Sequence, residues 1–88
     1  MKIKDGFVLR NVVDEFIVMP TGENIAKFDG AVVLNEVSAF VFDQMKRPVS
    51  REDLLIAVLN EFEVDEATAK ADLDALLDKL TEMGLIEA

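Results

Sequence analysis

Apolar and polar positions alternate in two different rhythms along this chain, and the change of rhythm falls at Asn35. Before it, short apolar runs are separated by turn residues. Phe7, Val8, Leu9, Val12 and Val13 predict a first strand, and Phe16, Ile17, Val18 and Met19 a second. Asp14-Glu15 between them predicts a tight hairpin connection. Pro20-Thr21-Gly22 ends the second strand with strong turn chemistry. Residues 23–29 are mixed, with Ile25, Ala26 and Phe28 suiting a short helical turn or an irregular loop. Asp29-Gly30 is a further turn signal, and Ala31, Val32, Val33 and Leu34 predict a third strand.

From Asn35 onward the spacing is helical. Val37, Phe40, Val41 and Met45 mark a first helix, opened by an asparagine suited to capping and stopped by Pro48 after Lys46-Arg47. Ser50 opens a second helix whose buried face is Leu54, Leu55, Val58, Leu59 and Phe62. Asp65 opens a third with the stripe Ala69, Leu73, Leu76, Leu77 and Leu80. Gly84 predicts a left-handed end to that helix, with Leu85 folding back on Leu80. Phe40 is expected in the core and Phe42 against the sheet or the second helix. Met19 and Met45 are expected to fill core gaps. Three strands followed by three helices predict an α+β fold. It is winged-helix-like: a three-stranded antiparallel sheet followed by a three-helix bundle.

Length and composition narrow this picture. The 88 residues suit one domain spanning 1–88, with a single modest core. No apolar run is long enough to span a bilayer and no signal-peptide pattern is present, so the expected compartment is the cytoplasm. Cys, His, Tyr and Trp are all missing, which removes thiolate and imidazole chemistry together. Ser38 and Ser50 have no base to activate them. Asp74, Asp78 and Glu82 form an acidic row, but a straight helix cannot wrap an ion, and the row is expected to be a solvated face. A non-catalytic protein without metal or cofactor is expected.

Charge changes the picture more than composition does. The net charge is −9, and from Glu52 to the end eleven Asp and Glu stand against only Lys70 and Lys79. A winged-helix DNA-binding regulator would need cations on its last helix, and here that helix is strongly acidic. The expectation is no nucleic-acid and no membrane partner. What remains is the third strand, which is short, apolar and expected at a sheet edge. An exposed edge is a template for another chain, and the third helix beside it would form the second wall of a groove. Pattern alone leaves two readings open: strand and helix bury one another, or they receive a peptide.

A resemblance bears on that choice. V-V-L-N-E-V-S-A-F-V-F-D-Q-M, residues 32–45, resembles the strand-to-helix segment of the PqqD-like family. S-R-E-D-L-L-I-A-V-L-N-E-F-E-V-D resembles its second helix and the connection that follows. A-K-A-D-L-D-A-L-L-D-K-L-T-E-M-G-L-I-E resembles its third helix, with Asp72, Leu73, Leu77, Leu80, Gly84 and Leu85 at characteristic places. The resemblance covers roughly residues 5–87. It implies recognition of the leader of a ribosomally made precursor peptide, held as an added strand and delivered to a modifying enzyme, often a radical-SAM enzyme. Carried over, the strand wall is Ala31, Val32, Val33 and Leu34, and the helix wall Leu73, Leu76, Leu77, Lys79 and Leu80. A shift of one residue in strand register would flip which side chains face the groove. The segment P-T-G-E-N-I-A-K-F-D-G is closer to stand-alone members of the family than to its namesake, so pyrroloquinoline quinone synthesis is not implied. A DNA-binding regulator and a structural homodimer joined through the same edge are the readings from other classes.

Overall fold

Backbone sign at two residues sets the hairpin. In the computed structural model, which describes residues 1–27 and 32–87, Val13 and Asp14 both have positive φ, 48° and 66°. Two consecutive left-handed residues make the turn whose twist matches that of the strands it joins. The strands are therefore β2 (Phe7–Val12) and β3 (Glu15–Pro20), with Val12 opposite Glu15. The connection is Val13-Asp14 rather than Asp14-Glu15, one residue earlier than the polar pair suggests. A four-residue helix α1 (Asn24–Lys27) follows, and then β4 (Val32–Leu34). Ala31, Phe28 and Asp29-Gly30 lie outside the described residues.

The sheet order is β2-β3-β4, antiparallel throughout. Ile17 pairs with Val33, and Phe16 and Val18 pair with Leu34 and Val32. Alternation puts Leu9, Phe16, Val18, Val32 and Leu34 on one face. That face is the inner one: Val18, Val32 and Leu34 are buried, whereas Val33 and Met19 on the other face are exposed. Met19 is thus a surface residue and not core filling, since the alternation that buries Val18 turns it outward.

The helices α2 (Glu36–Gln44), α3 (Arg51–Glu61) and α4 (Glu66–Glu82) begin at the three capping residues the sequence marks. Asn35, Ser50 and Asp65 accept the backbone N–H groups of Ser38, Asp53 and Thr68 at 2.8, 3.0 and 2.9 Å. Each bond satisfies a donor that the helix itself leaves unpaired. At the far end of α4, Gly84 has φ 75°, Leu85 N–H donates to the Leu80 carbonyl at 2.9 Å, and Gly84 N–H donates to Thr81. Those two bonds are the predicted helix end, and Leu85 and Leu80 are both fully buried.

The core lies between the inner sheet face and the helices. Ala69, Leu73, Leu76, Leu77 and Leu80 of α4 are all buried, as are Leu54 and Val58 of α3. On α2 Phe42 lies on the sheet side as expected, but it and not Phe40 is the fully buried phenylalanine. Phe42 is fully buried and borders Ile3 and Phe7, while Phe40 is half-buried and meets Phe62 edge to face. Two short strands complete the fold: β1 (Lys2–Ile3) pairs antiparallel with β5 (Ile86–Glu87). Ile3 N–H donates to the Met45 carbonyl at 2.8 Å, which ties this pair to the end of α2, and Lys4 N–H donates to the Leu85 carbonyl at 2.8 Å just before β5. Among the described residues no helix is long and apolar enough to cross a membrane.

Hydrogen bonds from Thr68, its hydroxyl first and its backbone N–H second, hold the Asp65 carboxyl below the ordinary aspartate range. A depressed folded value stabilises the protein above the unfolded value of about 4, and this contribution is lost as pH falls through the folded value. Asp65→Asn keeps a capping acceptor but removes the titration. Thermal midpoints measured from pH 5 to pH 2 are therefore expected to fall less steeply for the variant, and parallel profiles would count against the cap as the source.

Candidate functional site

β4 occupies an edge of the sheet, and hairpin geometry determines which of its backbone groups are open. The pair closing a two-residue hairpin, Val12 and Glu15, exchanges hydrogen bonds, so the Glu15 N–H and C=O point toward β2. Direction alternates along β3: Phe16 and Val18 point toward β4, and Ile17 points back to β2. Phe16–Leu34 and Val18–Val32 are then the hydrogen-bonded pairs, and the Val33 N–H and C=O point away from the sheet. Val33 is the one position of β4 whose main-chain donor and acceptor both face outward.

Beside that edge runs α4. Val33, Leu34, Asn35 and Ser38 face Asp72, Ala75, Leu76 and Lys79 across a groove of about 310 Å³. The helix residues are spaced i, i+3, i+4 and i+7, a single face of α4. Its middle is apolar, Ala75 and Leu76. Its ends carry opposite charges, Asp72 and Lys79, about 10 Å apart along the axis at 1.5 Å per residue. Asn35 accepts the Ser38 N–H and so has its side chain engaged at the cap of α2.

The residues assigned to this site in advance divide into two groups. Val33, Leu34, Leu76 and Lys79 line the groove. Val32, Leu73, Leu77 and Leu80 are buried in the core without lining the groove; Leu34 and Leu76 are buried as well, and Leu73 and Leu76 also border a small pocket of about 60 Å³ against α2. Ala31 lies outside the described residues. Asn35, Ser38, Asp72 and Ala75 are groove residues absent from that assignment. A signal for two of them was available: Asp72, Ala75 and Lys79 form the row flanking the leucine stripe, and a stripe that packs on a sheet turns its flank toward the sheet edge.

The acidic row of α4 is not uniform. Asp74 forms an ion pair with Arg51 at the start of α3, joining the two helices on the side away from the groove lining, and Asp78 and Glu82 are exposed. Among the described residues no three acidic side chains are grouped as a metal site would need.

Comparison with known proteins agrees with this architecture. The family model described as coenzyme PQQ synthesis protein D (PqqD) matches residues 14–86. Two solved structures have the same fold. TbiB1 in complex with the TbiA(beta) leader peptide is 24% identical, with a TM-score of 0.77 over 100% of this chain and 96% of that one. A lasso peptide synthetase B1 complexed with the leader peptide is 18% identical, with a TM-score of 0.72 over 99% and 96%. No curated protein matches the sequence. Because the family match runs from the hairpin turn through the last strand and takes in both walls of the groove, this chain belongs to the PqqD family.

Proposed function

We propose that this protein binds the leader segment of a ribosomally synthesised precursor peptide and presents it to a modifying enzyme, without catalysing a reaction itself. The leader adds to the sheet along β4 and lays alternate side chains into the groove against α4. The observation that carries this reading is the outward pair of Val33 main-chain groups beside the groove against α4. The two structural relatives, each described with a leader peptide bound, support it. A radical-SAM enzyme is the proposed kind of partner, and the proposed working unit is the single domain with its peptide.

Binding would draw on two sources. Main-chain pairing at Val33 gives affinity without sequence preference, and Ala75, Leu76, Asp72 and Lys79 select side chains. Titration calorimetry with the leader of the precursor made alongside this protein is expected to give micromolar affinity, about −8 kcal/mol. An absence of heat, with no change in amide shifts at Val33, Leu34 and Ala75, would sink the proposal.

Val33→Pro tests the pairing directly. The substitution removes an outward N–H that makes no bond to β3, so the sheet is expected to survive. One lost hydrogen bond is worth about 1 kcal/mol, or roughly a fivefold weaker complex. A folded variant with unchanged affinity would show that no strand adds here.

A further inference from the structure

The nine-residue helix α2 has two working flanks. Asn35 and Ser38 at its start face the groove. Glu36, Ala39, Phe40 and Asp43, spaced i, i+3, i+4 and i+7, face another way and form one wall of a separate cleft of about 430 Å³. Leu9 of β2, Phe16 of β3, and Glu61 and Phe62 at the end of α3 complete it. The two linings share no residue.

The cleft has an aromatic floor. Phe40 and Phe62 meet with ring centroids 5.4 Å apart and planes at 87°. Leu9, Phe16, Phe40 and Phe62 are each packed against the core yet only half-buried, so apolar surface remains open to an occupant. The rim is anionic. Glu36, Asp43 and Glu61 are exposed, and neither Lys nor Arg lines the cleft. Asp43 pairs with Lys46 at 3.0 Å, whereas Glu36 and Glu61 have no ion-pair partner among the described residues.

Apolar area alone would accept any hydrophobic side chain. Two unpaired carboxylates beside phenylalanine rings select further, because a cation gains from both the charges and the ring faces. An acidic occupant would be repelled by the rim and by a chain of net charge −9. We infer that the cleft is a second docking site, which takes a basic polypeptide segment of a partner protein. One apolar side chain of that segment rests on Phe40 and Phe62, and a neighbouring Lys or Arg meets Glu36 and Glu61. Leu9 belongs to β2, the other edge strand of the sheet, but the selection for a basic segment comes from the side chains that line the cleft. The leader groove and this cleft can be filled at once.

The test uses the ¹⁵N-labelled full chain at low salt and two short probes, acetyl-Lys-Leu-Phe-Arg-amide and acetyl-Glu-Leu-Phe-Glu-amide. The basic probe is expected to give saturable amide shifts at Phe40, Asp43, Glu61 and Phe62, leaving Val33 and Ala75 unmoved. Glu36→Gln with Glu61→Gln is expected to weaken it at least fivefold. Asp78→Asn with Glu82→Gln removes the same charge from the exposed side of α4 and is expected to change affinity less than twofold. Equal loss in both double variants would reduce the effect to diffuse attraction and overturn the inference. So would equal binding of the acidic probe, or no shifts at all. None of these results depends on what the groove binds.

Discussion

Phe42→Ala is expected to lower the thermal midpoint by roughly 15–30 °C, the largest stability effect of any single truncation on α2. Phe42 is fully buried at the point where α2 meets Ile3 and Phe7. Truncating a buried phenylalanine costs about 3–5 kcal/mol, through lost transfer energy and the cavity left behind. Small domains have about 5–15 kcal/mol in total, and each 1 kcal/mol moves the midpoint of a domain this size by about 4–8 °C. Phe40→Ala should cost less than half as much, because Phe40 remains partly open where it meets Phe62. Thermal unfolding followed by circular dichroism separates the two. Equal losses would mean that α2 is rotated from the orientation described.

Ala75→Trp is expected to weaken leader binding by roughly 30-fold or more, about 2 kcal/mol, with little change in stability. Ala75 is exposed on α4 between Asp72 and Lys79, so an indole there occupies the groove instead of disturbing the core behind it. Calorimetry with the leader and unfolding of the same preparation give the two readouts. A variant that binds normally would place the peptide elsewhere. A variant that loses binding and stability together would leave blockage and misfolding confounded, and Ala75→Arg would then repeat the experiment with a side chain that favours the helix and solvent.

Much of this fold is legible from local chemistry. The three caps and the glycine-terminated end of α4 follow from residues whose side chains or backbone freedom suit one position in a helix. The leucine stripe of α4 is equally direct, since five apolar residues recur at helical spacing and all five are buried. Ambiguity enters where several apolar residues crowd together. On α2 the cluster Val37, Phe40, Val41 and Phe42 is broad enough to allow more than one buried face, and only packing against β1 and β2 favours Phe42. Met19 fails for the converse reason: its own strand is apolar on both faces, so composition cannot distinguish inside from outside. The hairpin turn was displaced because polarity pointed to Asp14-Glu15, whereas the backbone places a β-branched valine at positive φ. Two-residue strands such as β1 and β5 have no period at all.

The groove was legible as a place but only partly as a set of side chains. A strand at an edge, followed by a capped helix and later by an apolar stripe, indicates two walls. The leucines that announce the helix wall are largely spent on the core, so the surface left for a ligand is the neighbouring row. For the strand wall the contribution of Val33 is made through its main chain, which no side-chain pattern can encode.

The brevity of β4 carries a consequence for self-association. Long, flat edges recruit copies of themselves because each added residue pair extends the ladder. Among the described residues this edge offers one outward donor and one outward acceptor, both at Val33, and the chain turns into the cap of α2 immediately afterward. From that position alone an identical strand gains little ladder to offset its lost freedom. A different peptide, bringing side chains shaped for the groove, supplies the missing gain from outside the backbone. At this position the side chains that a segment brings therefore count for more than the ladder itself.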